Sequence, residues 1–113
     1  MSKISFEGIG EMVATFACAE GVAAGQVVKV TGDGTVGACA GGDKICGVAL
    51  SAEDGYAAVQ LGGLVQVATS GGSITTGWCK LSADGTGGMK QDTSAGTDYL
   101  VVRVETDAAV ICL

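Results

Sequence analysis

A chain of 113 residues makes one small domain, because two would each fall below the size that folds without staples or partners. Apolar residues make up 48% but aromatics only 4%, so the core must come from Val, Ala, Leu, Ile and Cys, while twenty Gly and no Pro imply many tight turns. A net charge of −6 with six scattered cations gives no basic footprint for nucleic acid, and the absence of His removes the commonest general base and the usual nucleophile–base pairs.

The N-terminal "MSKISFEGIGEM" has no apolar run of signal-peptide length, and no stretch of the chain approaches the length of a membrane span. Synthesis in a cytoplasm and no membrane partner are therefore expected. Residues 1–12 read as an extended N-terminal arm, with "KISF" as an arm or edge strand and "EGIGE" as a link. Met12–Cys18 is predicted as a strand and "AEGVAAG" as a turn. Gln26–Thr31 and Thr35–Cys39 follow as hairpin arms about Asp33-Gly34.

Gly32-Asp33-Gly34-Thr35-Val36-Gly37 has the spacing of a dinucleotide-binding glycine motif after a strand, with Glu53 downstream. The motif has meaning only where a helix N-terminus follows to receive a phosphate. Here "ACAGGDKICG" follows, which has no helical stripe, so the segment is read as a hairpin tip.

Ile45–Ala52 and Tyr56–Leu61 are expected strands about Asp54-Gly55, and Leu64–Ser70 alternates apolar and polar residues as a half-buried strand does. The remaining strands are Trp78–Ser82, a short arm after Thr86, Asp98–Thr106 and Ala108–Leu113. Asp33, Asp54 and Asp84 each precede Gly, as two-residue turns with positive φ at both centres require, and Asp43 lies in a similar turn context. Cys18, Cys39, Cys46, Cys79 and Cys112 are odd in number and lack a C-x-x-C, so they read as small core residues rather than disulfides or metal ligands. No cofactor is expected.

The chain also repeats itself. "KVTGDGTVG" at 29–37 returns as "KLSADGTGG" at 80–88, and flanking features recur at offsets of 51 or 52. The expected fold is all-β: a small compact barrel or sandwich of short antiparallel strands, with little helix and an internal duplication. Residues 13–113 form a single domain of two similar halves, about 13–61 and 64–113.

The order of "GVAAGQVV", a D-G-T hairpin and "ICGVALSAEDGYAAVQLGGLVQV" resembles the head-decoration, or capsid-stabilising, proteins of tailed phages and prophages. Gly47-Val48-Ala49 and Val59-Gln60-Leu61-Gly62-Gly63 carry the resemblance, which covers about Gly21 to Val67. It implies a non-enzymatic virion protein, made in the host cytoplasm and placed on the outer capsid surface. Its implied partners are the major capsid protein and copies of itself, with a trimer favoured. In such proteins the N-terminal segment contacts the capsid, which puts Ile4, Phe6, Ile9 and Met12 forward as apolar anchors; an ordinary edge strand is the alternative for these four. Trp78 stands where the first copy has Val27, so a core position is the preferred reading and a subunit-contact anchor the other. Alternative functions are the base domain of a head fibre or spike, and a biotinyl- or lipoyl-type carrier domain, for which "GMKQD" around Lys90 is the nearest match.

Overall fold

The computed structural model describes residues 11–70 and 74–113, and every regular element in them is a strand. In chain order these are β1 (Met12–Cys18), β2 (Val27–Gly32), β3 (Thr35–Ala38), β4 (Gly47–Glu53) and β5 (Tyr56–Gly62). Then come β6 (Leu64–Ala68), β7 (Gly77–Ala83), β8 (Met89–Gln91), β9 (Thr97–Val104) and β10 (Ala108–Cys112). Wherever the sequence reading gave numbered bounds, the strands fall within two residues of them. Runs of Val, Ala and Ile set the strands, and Gly-Asp clusters end them. Residues 1–10, with Ile4, Phe6 and Ile9, lie outside the described residues. Met12 is the first residue of β1.

β1 to β5 close into a barrel in the order β1-β3-β2-β4-β5, and β6 to β10 form a five-stranded sheet ordered β6-β10-β9-β7-β8. The two orders are the same when β1 is matched with β6, β2 with β7, and so on to β5 with β10. Even the closing contact recurs. Cys18 pairs in parallel with Val36 in the first half, and Thr69 with Met89 in the second, as a single bridge. That parallel contact departs from the antiparallel expectation. A bulge recurs as well: Leu50 is the extra residue where β4 shifts against β5, and Val102 where β9 shifts against β10. The repeat in sequence is thus matched by a repeat in topology.

Alternation along the strands builds two cores. Val28, Val36, Ala49, Ala57 and Val59 fill the barrel, with Phe16, Cys18, Cys46 and Leu61 packed against them. Their neighbours Val27 and Val48 point outward and join Val65, Val67, Cys79, Leu81, Met89, Tyr99, Val101 and Ile111 in the larger core. The first residues of β2 and β4 are therefore covered on both faces. Gly47 lets this happen, because a Cβ there would overlap the Gln60 carbonyl oxygen on β5. The halves are tied by the Val27 amide to Gly87 O (3.0 Å), Gly42 N to Ala83 O (2.8 Å) and Ala83 N to Asp43 O (3.0 Å).

Two of the Asp-Gly turns depart from expectation. At Asp54-Gly55 both φ angles are positive (53° and 80°), as a tight hairpin turn requires. At Asp33-Gly34 only Gly34 is left-handed (φ 62°), because Thr31 enters as an extra residue in β2 and this bulge supplies the twist. Asp84-Gly85 is no two-residue turn. β7 ends at Ala83 and β8 starts at Met89, so residues 84–88 form a longer loop.

Candidate interaction surface

The carboxylates that carry the most hydrogen bonds close loops. Asp84 Oδ1 accepts from the Thr86 amide (2.7 Å), the Thr86 hydroxyl (2.8 Å) and the Gly88 amide (3.1 Å), while Oδ2 accepts from the Ser70 hydroxyl. Burial pulls the Asp84 pKa upward, but these four donors outweigh it and hold the group below its ordinary value. Asp92 accepts from the Ala95 amide (2.9 Å) and, next in weight, the Ser82 hydroxyl (2.9 Å), which keep its carboxyl low. Asp43 accepts from Lys29 Nζ (2.5 Å) and the Ala40 amide (2.8 Å); the bond to Lys29 leads in lowering its pKa and in raising that of Lys29. These acids organise turns, and no bond of theirs faces another acid in the way a general acid–base pair would.

The cysteines are all free, with Cys39 and Cys79 buried. Burial pushes the Cys39 thiol up to about 11, well away from the range of a reactive thiolate. Among the described residues no three Cys, Asp or Glu side chains converge as a metal ion would require. Lys29, Lys80 and Lys90 sit within β2, β7 and β8 and not at hairpin tips.

The exposed apolar side chains remain. Trp78 is 73% exposed, Met12 62% and Tyr56 61%, with Val30, Val13, Leu50 and Val104 less so. The core reading of Trp78 is therefore overturned. Its neighbour Cys79 takes the inward place on β7, and alternation turns the indole out. Met12 lies opposite Gly62 in the first sheet and Trp78 opposite Leu100 in the second, so the register does not pair these two sequence candidates.

Register assembles a different surface around Trp78. Residues directly opposite on antiparallel strands share a face. Trp78 opposes Leu100, Leu100 opposes Cys112, and Cys112 opposes Leu64. All four alternate with buried inward neighbours, so one apolar row crosses β7, β9, β10 and β6 on the outer face. One step along, Lys80 and Asp98 form an exposed ion pair at 3.5 Å that borders the row. Because both ends are solvated, the pair sets a polar margin and adds little stability.

A second uncharged face lies on the β1–β5 ribbon. Val13, Thr15 and Ala17 oppose Gln60, Ala58 and Tyr56, on the side away from Ala14, Phe16, Ala57 and Val59. Glu53 bounds it beyond Tyr56. Gln60 is 3% exposed and donates to the carbonyls of Gly62 (2.9 Å) and Leu64 (3.1 Å), which stitches this ribbon to the start of β6. Sequence reasoning missed Tyr56, Leu64, Leu100 and Cys112 because each is unremarkable in its own strand. Only the cross-strand register puts them on a face. No family model matches the chain and no curated protein matches it, so this surface stands on its own chemistry.

Proposed function

We propose that this chain is a structural protein of a phage head, which binds the outside of the assembled shell and stabilises it by bridging major capsid protein subunits. The observation that carries the reading is the surface: large apolar side chains, led by Trp78, stand exposed on a rigid β scaffold. Its best-bonded carboxylates meanwhile are occupied in turns. Such a molecule is equipped to adhere. The resemblance of Gly21–Val67 to the head-decoration proteins supports the same reading. Many equivalent copies on a lattice stabilise it by linkage, since each binds the assembled form and not the free subunit. Lys29, Lys80 and Lys90 lie in strands, which weighs against the carrier-domain alternative, since that needs its lysine at a hairpin tip.

The test is co-sedimentation with shells built from the major capsid protein of the genome that encodes this chain. Saturable binding to expanded shells, with none to unexpanded shells or to DNA, is expected. Failure to bind either form of shell would overturn the proposal.

A further inference from the structure

The chain contains three Asp-Gly bonds, at 33–34, 54–55 and 84–85, and no Asn. In an Asp-Gly pair the glycine nitrogen can attack the preceding carboxyl group, because glycine has no side chain to block the approach and its backbone turns freely. The three sites share this chemistry and differ in their surroundings. Asp33-Gly34 and Asp54-Gly55 are exposed hairpin tips, and neither carboxylate has a partner among the described residues. In the first D-G-T phrase the Thr35 hydroxyl donates to the Asp33 main-chain oxygen (3.1 Å). A Cβ placed on Gly34 or Gly55 would meet nothing within 4 Å. In the second phrase the matching Thr86 hydroxyl donates to the Asp84 carboxylate instead (2.8 Å), beside the amides of Thr86 and Gly88 and the Ser70 hydroxyl. There a Cβ on Gly85 would meet the Gly41 nitrogen at 3.1 Å.

We infer that Asp33-Gly34 and Asp54-Gly55 are sites of spontaneous conversion to isoaspartate, and that the loop gathered around Asp84 shields the third Asp-Gly bond from it. The glycine nitrogen bonds to the Asp Cγ, the amide proton and the carboxyl hydroxyl leave together as water, and a cyclic imide forms. Water then adds at the main-chain carbonyl and breaks its bond to the glycine nitrogen. The chain now runs through Cγ and is one methylene longer, at unchanged mass, with no oxidant or enzyme required. The hydroxyl leaves from a protonated carboxyl. Burial raises the Asp84 pKa, but its donors outweigh this and hold it below the ordinary value, so the reactive form is rarer there. Asp84 must also give up four hydrogen bonds before the ring can close. The two reactive tips lie at one end of the barrel. The Ala17 amide donates to Gly34 O (2.9 Å) and the Cys18 amide to Gly55 O (2.9 Å), where β1 closes against β3. These bonds use the glycine carbonyls and not the attacking nitrogens. A methylene added beside either carbonyl shifts it against β1, so the conversion loosens the closure of the barrel. It is a property of the ageing chain and does not depend on shell binding.

Trypsin cleavage after Lys29, Lys44, Lys80 and Lys90 puts each Asp-Gly bond on its own fragment, 30–44, 45–80 and 81–90. The native protein is kept warm at neutral pH for several weeks and then digested. Isoaspartate is read as a fragment of unchanged mass and shifted chromatographic retention that an isoaspartyl methyltransferase labels, with fragment ions separating Asp33 from Asp43. Fragments 30–44 and 45–80 should gain isoaspartate several-fold faster than 81–90. In guanidinium chloride, where the loop is lost, 81–90 should rise to the rate of the other two. Aged protein carrying the modification should also melt below the fresh protein. Equal accumulation in all three native fragments, or none in 30–44 and 45–80, would overturn the inference. So would an 81–90 fragment that stays unmodified in guanidinium chloride, because the loop would then not be what protects it.

Discussion

Replacing Asp84 removes the acceptor for four donors at once: the amides of Thr86 and Gly88 and the hydroxyls of Thr86 and Ser70. The Gly88 amide is the part-buried one, and losing its charged partner costs about 1.5 kcal/mol. The other three face solvent, where water substitutes and each contributes only about 0.5 kcal/mol. Asp84→Ala should therefore lose about 2–3 kcal/mol, or roughly 8–12 °C in melting temperature for a domain of this size. Asp84→Asn keeps the Oδ1 acceptor and loses the charge, so about 1 kcal/mol is expected. The folded pKa of Asp84 lies below its unfolded value. Its contribution is thus fully present above the unfolded value of about 3.9 and fades as pH falls through the folded one. Urea titrations of wild type and both variants at pH 7 and at steps below pH 4 test this. An Asp84→Ala loss under about 0.5 kcal/mol would refute the reasoning, as would a gap between wild type and Asp84→Asn that widens on acidification.

Gly88→Ala would drive a Cβ into the Ala68 carbonyl oxygen, where β6 meets β8, so a loss of about 2–4 kcal/mol is expected in a urea titration. Wild-type stability there would mean that the second sheet closes more loosely than its single bridge implies. Cys39, buried with its thiol raised to about 11, should resist alkylation in the native protein at pH 8 and react on unfolding, as read by mass mapping. Because its folded pKa is raised, its contribution is complete below the unfolded value of about 8.5 and is lost as pH climbs through the folded one, so thermal stability should fall above pH 9.

Much of the fold was legible because local chemistry and topology agree. Val-rich runs of four to eight residues between Gly-Asp clusters leave few choices, and the strands fell where those runs lie. The D-G-T phrase exposed the repeat but not its turns. Thr31 bulges in the first copy, and in the second the fully buried Ala83 ends its strand and lets Asp84 gather the loop around its carboxylate. Between Val36 and Met89, the matched partners of the closing contact, the offset has grown to 53, which is the signature of that longer loop. Turn type depends on such one- and two-residue differences, and a shared tripeptide does not determine it.

Trp78 shows where equivalence between copies stops being informative. Matching it to Val27 agrees with the register: Val27 lies opposite Val48, and Trp78 opposite Leu100, the counterpart of Val48 in the second copy. The preferred reading of Trp78 as a core residue then failed, since Trp78 is 73% exposed. A repeat fixes which way a side chain points; whether that direction is covered depends on what lies beyond the unit. The first unit has the second beside it, so its outward row can be small Val and a Gln bonded to the carbonyls of Gly62 and Leu64. In the second unit Trp78, which holds the position of Val27, is covered by nothing among the described residues. Leu100 and Cys112 are half-buried there, whereas Trp78 holds an indole in water at a position where a polar side chain would favour solubility. The largest of these side chains stands where the row is least covered, and Trp78 is the most exposed large apolar side chain among the described residues.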